Sequence, residues 1–297
     1  MSTAPSTAEG FSAEWLAQRE PFDARAREHA AERLRLLARL QAWRPTPPAP
    51  WRVIDLACGT GANLRWLAPR LSGAQEWLVV DHDAALLQRW PERLGLAPAR
   101  KALHHPLKLD GPGFKATVQR QQVDLAANLE ALPWHAAGLV TASALLDLVS
   151  EAWLQRLVRL AVDARVALLF TLSVDGEHAW TPRDPLDASV GARFAAHQRR
   201  DKGFGPALGA QAVPSLQAAL LAHGYRVFTA SSDWRVPGDG GAGSALMAAL
   251  IEGMASAAAE QQPAHAAEVL AWRERRLAHA AHGAVRVGHV DLLALPR

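Results

Sequence analysis

The stretch VIDLACGTGANLRWLAPRL, residues 53–71, places two glycines two apart between an apolar run and an amphipathic one. Val53, Ile54 and Leu56 read as a buried strand, and Leu64, Leu67, Ala68 and Leu71 repeat at helical spacing. The unit is therefore strand, tight loop, helix. Gly59 and Gly61 permit left-handed backbone and leave it bare for a ligand. The unpaired N–H groups of the following helix then face whatever sits in the loop.

Composition narrows the class. In 297 residues, 49% hydrophobic and 21% charged describe a globular chain with one large domain or two small ones. A net charge of +3 neither requires nor excludes nucleic-acid binding. One cysteine, Cys58, rules out an internal disulfide framework or a cysteine metal cluster. No apolar run reaches the ~18 residues of a membrane helix. The opening MSTAPSTAEG lacks a basic region followed by an apolar core. The expectation is a cytoplasmic protein that does not engage membranes, as monomer or homodimer.

Along the chain, residues 1–11 read as disordered. Ser12 is a candidate cap for a helix carrying Trp15 and Leu16, and a second helical stretch follows Pro21. PTPPAP (45–50) reads as a stiff linker. Strands are expected at 52–57, 77–81, 116–125, 138–144 and 165–174. Helices are expected at 62–71, 84–94 and 150–162, the last capped by Ser150. This alternation implies a mostly parallel sheet covered on both faces. After residue 174 the rhythm breaks. A helix near 187–200 capped by Asp187, another at 214–223, a strand at 225–233, helices at 243–260 and 264–281 and a final strand at 285–296 follow. The domain reading is an N-terminal helical cap (1–48) and one domain (49–297), with insertions at 175–212 and 240–283.

The ligand of the glycine loop can be narrowed. A dinucleotide fingerprint needs a third small residue where Leu64 stands, and no Gly-Lys-Ser/Thr phosphate loop occurs. A nucleoside without phosphates remains. VIDLACGTGANL resembles the first motif of class I S-adenosylmethionine-dependent methyltransferases, with Asp55 as the acid before the loop and Gly59 and Gly61 as its glycines. WLVVDHD supplies Asp81 at the end of the second strand. QQVDLAANLEALPW supplies Asp124 and Leu125 after the third, and GLVTASALLDLVS resembles the fourth. The resemblance implies an α/β fold with a seven-stranded, mostly parallel, doubly wound sheet of methyltransferase type. In it the last strand runs antiparallel beside the fifth. It implies S-adenosylmethionine as donor, S-adenosylhomocysteine as product and no metal. Asp55, Ala57, Gly59, Gly61, Asn63, Asp81, His82, Asp124, Leu125 and Ser143 would surround the donor. The chemistry agrees: a carboxylate can accept both ribose hydroxyls, Asp124 the adenine amino group, and acidic lining suits a sulfonium.

The acceptor side is less defined by sequence. Asp147, after the fourth strand, reads as a base or as a capping carboxylate. FAAHQRRDKGFGPALG (194–209) reads as a substrate lid or as a helix end and loop. Within it His197 is the candidate base, and Asp201 and Lys202 candidate acceptor contacts, Lys202 suiting an acidic substrate. Trp153 is a candidate pocket wall. Arg19 could pair with the donor's carboxylate or be an ordinary surface arginine. No N-P-P-Y-like motif follows the fourth strand, which argues against adenine or glutamine as acceptor. The expected partner is a small molecule methylated on oxygen or nitrogen, with nucleic acid disfavoured. A methyltransferase of RNA or protein and a non-catalytic donor-binding scaffold are the rivals.

Overall fold

The computed structural model describes residues 11–44, 49–97 and 102–297. The segment expected to be disordered, Phe11 apart, and residues 45–48 of the proline linker lie outside the described residues. The strands are β1 (Trp51–Leu56), β2 (Gly73–Asp81), β3 (Leu107–Gly111), β4 (Phe114–Gln122), β5 (Leu139–Ser143), β6 (Ala167–Thr181), β7 (Arg226–Ser231), β8 (Trp234–Pro237) and β9 (Ala284–Leu295). The longer helices are α1 (Ala13–Leu34), α2 (Leu36–Trp43) and α3 (Ala62–Leu71). Two short ones, α4 (Ala84–Gln88) and α5 (Trp90–Arg93), follow β2, and α6 (Leu125–Asn128) follows β4. The rest are α7 (Glu151–Ala164), α8 (Asp187–Gln198), α9 (Ala212–Ala222), α10 (Ala242–Gln261) and α11 (Ala266–His279).

The strands form one sheet in the order β3-β4-β2-β1-β5-β6-β9-β7, with β8 pairing β9. Pairs from β4 through β6 are parallel, and β9 runs antiparallel to both β6 and β7. The reversed last strand beside the fifth is the arrangement expected. The sheet nevertheless has nine strands, not seven. The two extra ones come from hairpin-like additions. Leu107 to Gly111 folds back on Phe114 to Val118, turning at Pro112 and Gly113. β8 adds a second partner to the long β9, opposite Ala284 to Val287. Both are too short to declare themselves by alternation against the stronger signals beside them.

The central strands are buried on both faces, β5 reading buried from Leu139 to Ala142. The expectation of cover on both faces fails on the β4 side. There Arg52, Glu76 and Thr117 stand in one exposed row across β1, β2 and β4. The link from β4 to β5 is only α6 and two 3₁₀ turns, too short to cover the sheet. These strands alternate exposed and buried residues accordingly.

The helix α1 runs unbroken through Pro21, not as two stretches. Its buried Phe22, Ala26, Ala30 and Leu34 dock it on the sheet and outweigh the one backbone bond that proline removes. The break falls at Arg35, in left-handed conformation with its N–H on Glu32 O at 2.9 Å. Pro91 splits the expected 84–94 helix into two. Ser150 caps α7 as expected, its hydroxyl accepting from Trp153 N, and Leu154, Leu157, Val158 and Ala161 are buried. The 20-residue helix α10 is long and apolar enough to cross a membrane by composition, at mean hydropathy 1.4. Here Leu246, Met247, Ile251 and Met254 face protein, and it packs on α8 and α11.

Asp187 does not cap α8 as expected: it is the first helical residue, Leu186 stands at the N-cap, and no side chain caps the helix. The Asp187 carboxylate accepts from Trp272 Nε1 at 2.9 Å and Arg276 Nε at 3.0 Å, tying α8 to α11. The Arg276 guanidinium is buried. Asp187→Ala leaves that charge without its carboxylate, a change expected to cost about 3 kcal/mol in urea unfolding. A loss under ~1 kcal/mol would show that the tie is not structural.

Candidate functional site

After β1 the chain turns through Ala57 (φ 50°), Gly59 (φ 51°) and Gly61 (φ 88°), all left-handed. The turn is closed by Gly61 N on Cys58 O and anchored by Cys58 N on Val80 O, each at 3.0 Å. Asp81, the last residue of β2, accepts from Gly59 N at 2.8 Å and binds the loop to the neighbouring strand. The glycines also answer to protein neighbours. A Cβ at Gly61 would stand 2.9 Å from the Trp90 indole, which itself donates to Gly59 O at 2.8 Å. A Cβ at Gly59 would stand 3.1 Å from Leu16 of α1. Gly61 therefore makes room for Trp90 and does not border the cavity described next.

That cavity, about 500 Å³, opens at the carboxyl ends of β1, β2, β4 and β5, where ligands of open α/β sheets bind. The loop contributes Ala57 and Gly59, the end of β2 Asp81, His82 and Asp83, and the segment after β4 Asp124 and Leu125. Ser143 and Ala144 close it from β5, Leu16 and Arg19 from α1, and Lys202 to Phe204 from the segment after α8. Ala57 and Ala144 are non-glycine residues with positive φ at the ends of adjacent strands. Such conformations cost roughly 1–3 kcal/mol each and gather at functional sites.

A narrow recess of about 50 Å³ shares Leu16, Arg19, Ala57, Gly59 and Ser143 with the cavity and is also bordered by Asp23, Asp55 and Asn63. Asp55 Oδ1 accepts from Asn63 Nδ2 at 2.6 Å, and Asn63 Oδ1 accepts from the buried Arg27 at 2.6 Å. Asn63 also contacts Thr141 Oγ1 at 3.2 Å, whose hydroxyl donates to Leu169 O. Asp55 Oδ2 is buried with no hydrogen-bond partner among the described residues. Burial pushes the Asp55 carboxyl up to about 7, against the pull of Asn63 and Arg27. Arg19 Nε donates to Asp23 Oδ2 at 2.9 Å. The terminal nitrogens of Arg19 make no hydrogen bond among the described residues; the guanidinium stands 5.7 Å from the Trp234 ring. Arg19 is thus a cavity residue and not a plain surface one.

Asp81 is buried, with Oδ1 accepting from Asp83 N at 3.0 Å and lying 3.3 Å from His82 Nδ1. That contact raises the His82 imidazole pKa. Asp124 caps α6, its Oδ1 accepting from Ala126 N at 2.9 Å, and the residue lines the cavity. Trp153 is not a pocket wall. It is buried, its Nε1 holds Leu125 O at 2.8 Å, and its ring meets Phe204 edge-on at 5.6 Å. It positions two groups that do line the cavity.

On the acceptor side the structure separates the expected residues. Lys202 lines the cavity. The Asp201 carboxylate is committed to its own turn, accepting from Gly203 N at 2.7 Å and Gly205 N at 2.9 Å. His197 is buried at the end of α8 with Nε2 3.3 Å from Glu260 of α10, and it does not border the cavity. Helical phase on α8 turns it toward α10. Asp147 sits in a 3₁₀ turn between the cavity residues Leu145 and Leu148. It is not itself among the lining residues; its Oδ1 is buried with no hydrogen-bond partner among the described residues, and burial pushes the carboxyl up to about 6. Trp90, Arg27 and Asp23 escaped the sequence reading. Only Asp23 carried a signal, its spacing of four from Arg19 on one helix.

No family model and no curated protein matches the chain. Solved structures do. The YcgJ protein from Bacillus subtilis is 12% identical over 88% of this chain and 97% of that one, with a TM-score of 0.44. A SAM-dependent methyltransferase from Thiobacillus denitrificans in complex with S-adenosyl-L-homocysteine is 17% identical over 90% and 91%, at 0.39. A geranyl diphosphate methyltransferase in complex with GPP and sinefungin is 13% identical over 90% and 78%, at 0.40.

The raised Asp55 carboxyl has a consequence for stability. The folded protein holds a proton there that the unfolded chain releases above pH ~4. Stability then falls as pH rises from about 4 to about 7. Asp55→Asn keeps an acceptor for Asn63 and removes that loss. In urea unfolding of the donor-free protein, the variant should gain on wild type between pH 5 and pH 8, by on the order of 2 kcal/mol. An unchanged difference would show Asp55 ionised throughout.

Proposed function

We propose that this chain transfers the methyl group of S-adenosylmethionine to an oxygen or nitrogen of a small molecule. The observation that carries the reading is the order of polar groups along the cavity and its recess. Asp124 and the Leu125 N–H suit adenine. Asp81, with Gly59 N on Oδ2 and Asp83 N on Oδ1, keeps one lone pair on each oxygen for a ribose hydroxyl once the His82 ring turns away from Oδ1. The partnerless Oδ2 of Asp55 suits the ammonium of the donor's amino-acid end, and Arg19 its carboxylate. A sulfonium supplies an activated methyl group in such a site. The surrounding carboxylates favour its positive charge and would disfavour a pyrophosphate.

The protein's part in the transfer is alignment and exclusion of water. Leu16 of α1 roofs the glycine loop, and Phe204, backed by Trp153, closes the far side. Where the acceptor must lose a proton, Asp147 is the base the reading assigns. It lies between the cavity residues Leu145 and Leu148, its Oδ1 has no hydrogen-bond partner among the described residues, and burial pushes its carboxyl up to about 6. His197, committed to Glu260, takes no part.

Titration calorimetry with S-adenosylhomocysteine tests the donor half. Asp81→Ala removes a charged acceptor worth about 1.5–3 kcal/mol, so affinity should fall roughly 10- to 100-fold. Binding of NAD(H) in place of S-adenosylhomocysteine would end the reading. The catalytic half rests on Asp147→Asn. Donor affinity should stay, while turnover drops ~10²-fold or more with an acceptor that requires deprotonation. Wild-type turnover should rise with pH through about 6 and then level, since only the ionised carboxylate accepts a proton. A variant that retains both rate and profile would remove Asp147 from the mechanism.

A further inference from the structure

Lys202, a cation lining the cavity, is left without a use by the methyl-transfer reading. It sits on a built loop. Asp201 ties down Gly203 and Gly205, Ala207 N donates to Arg199 O at 3.1 Å, and Leu208 N to Val149 O at 2.9 Å. A Cβ at Gly205 would stand 3.2 Å from Ser150, so the loop lies tight against the start of α7. Lys202 is therefore held at the wall by its backbone and does not merely sweep past it.

Its charge has no local partner. The ammonium makes no hydrogen bond or ion pair among the described residues. Glu260 lies in its field, but that carboxylate is engaged by Arg200 and His197. Arg200 adds further positive charge, and burial lowers the Lys202 pKa below the usual lysine value. An ammonium so placed brings an uncompensated positive charge to the cavity wall, which an anionic ligand would meet.

The methyl donor does not provide that anion. Its one carboxylate falls to Arg19 in the recess, which Lys202 does not border. Its sulfonium is a like charge. The cavity that Lys202 lines also carries apolar side chains, among them Phe11, Leu145, Leu148 and its near neighbour in sequence Phe204. We propose that Lys202 and Phe204 form an acceptor subsite for a small molecule with an anionic group, carboxylate or phosphate, on an apolar body. This deepens the methyl-transfer reading and rests on it for the identity of the second ligand. The anion would stand against Lys202 and the apolar body against Phe204. The acceptor's negative charge would also offset the sulfonium within one shared cavity.

Matched probes test this on the full chain loaded with S-adenosylhomocysteine. The probes are 3-phenylpropionate, phenyl phosphate, 3-phenyl-1-propanol and 3-phenylpropylammonium, with affinities read by calorimetry or ligand-observed NMR. The two anions should bind, and the alcohol and ammonium more weakly or not at all. A preference for one anion over the other identifies the acceptor's acidic group. Lys202→Met should weaken the anions ~10-fold or more, the loss of one charge-assisted contact, while Lys202→Arg restores them and Lys108→Met changes nothing. Melting temperatures of the variants guard against a loop that has simply collapsed. Equal anion affinity in wild type and Lys202→Met overturns the subsite, as does preference for the ammonium probe or failure of every probe. Failure to bind S-adenosylhomocysteine is a different result. It strikes the methyl-transfer reading, and the same probe series on donor-free protein still decides the charge selectivity.

Discussion

One buried guanidinium, Arg27, holds the balance of charge beneath the cavity. Asp55 from β1, Asp23 from its own helix and Asp291 from β9 all act on it, and all three carboxyls are pushed above their usual range by burial. A buried ion pair is weak evidence of stability, since desolvation offsets attraction. Here the arrangement gains specificity of placement. Through Asn63, Arg27 joins α1 to the first turn of α3, and through its charge it joins α1 to the far strand. Docking of the N-terminal helix, closure of the glycine loop and the charge state of Asp55 are then parts of one network.

That network explains why the recess proposed for the donor is acidic while Asp55 Oδ2 has no hydrogen-bond partner among the described residues. With Arg19 counted, two guanidinium groups face three carboxyls, so full ionisation leaves an excess negative charge beside Asp55. In the donor-free protein a proton on a carboxyl meets the excess. In the proposed complex a cationic ligand meets it instead. The same Asp81 that is proposed to receive ribose also bonds Gly59 N, so ligand site and loop geometry cannot be altered separately.

Much of this was legible in sequence because the donor half is local. Glycines, an acid before them and acids at the next strand ends lie within short segments whose strand-loop-helix order is strongly patterned. The strand order followed from the same segments. What escaped depends on packing between distant segments. Trp90 meets the glycine loop from a helix split by Pro91. Arg27 reaches Asn63 across 36 positions, and His197 turns to Glu260 because α8 packs on α10. The short strands β3 and β8 and the uncovered sheet face escaped for another reason. Their signals are brief alternations, outweighed in reading by the parallel core beside them. Asp201 shows the limit of residue type as a guide: an aspartate before glycine is as fit for a turn as for a substrate.

The central claim is that cavity and recess together hold one sulfonium nucleoside along a fixed line of polar groups. A crystal structure of the complex with S-adenosylhomocysteine tests it most directly. The account predicts adenine along Asp124 and Leu125, both ribose hydroxyls on Asp81, and the amino group within ~3 Å of Asp55 Oδ2, a normal charge-assisted distance. It further predicts the sulfur turned toward the space between Ala144 and Phe204. A ligand bound with its amino-acid end away from Asp55 and Arg19, or outside the carboxyl ends of β1 and β2, would contradict it.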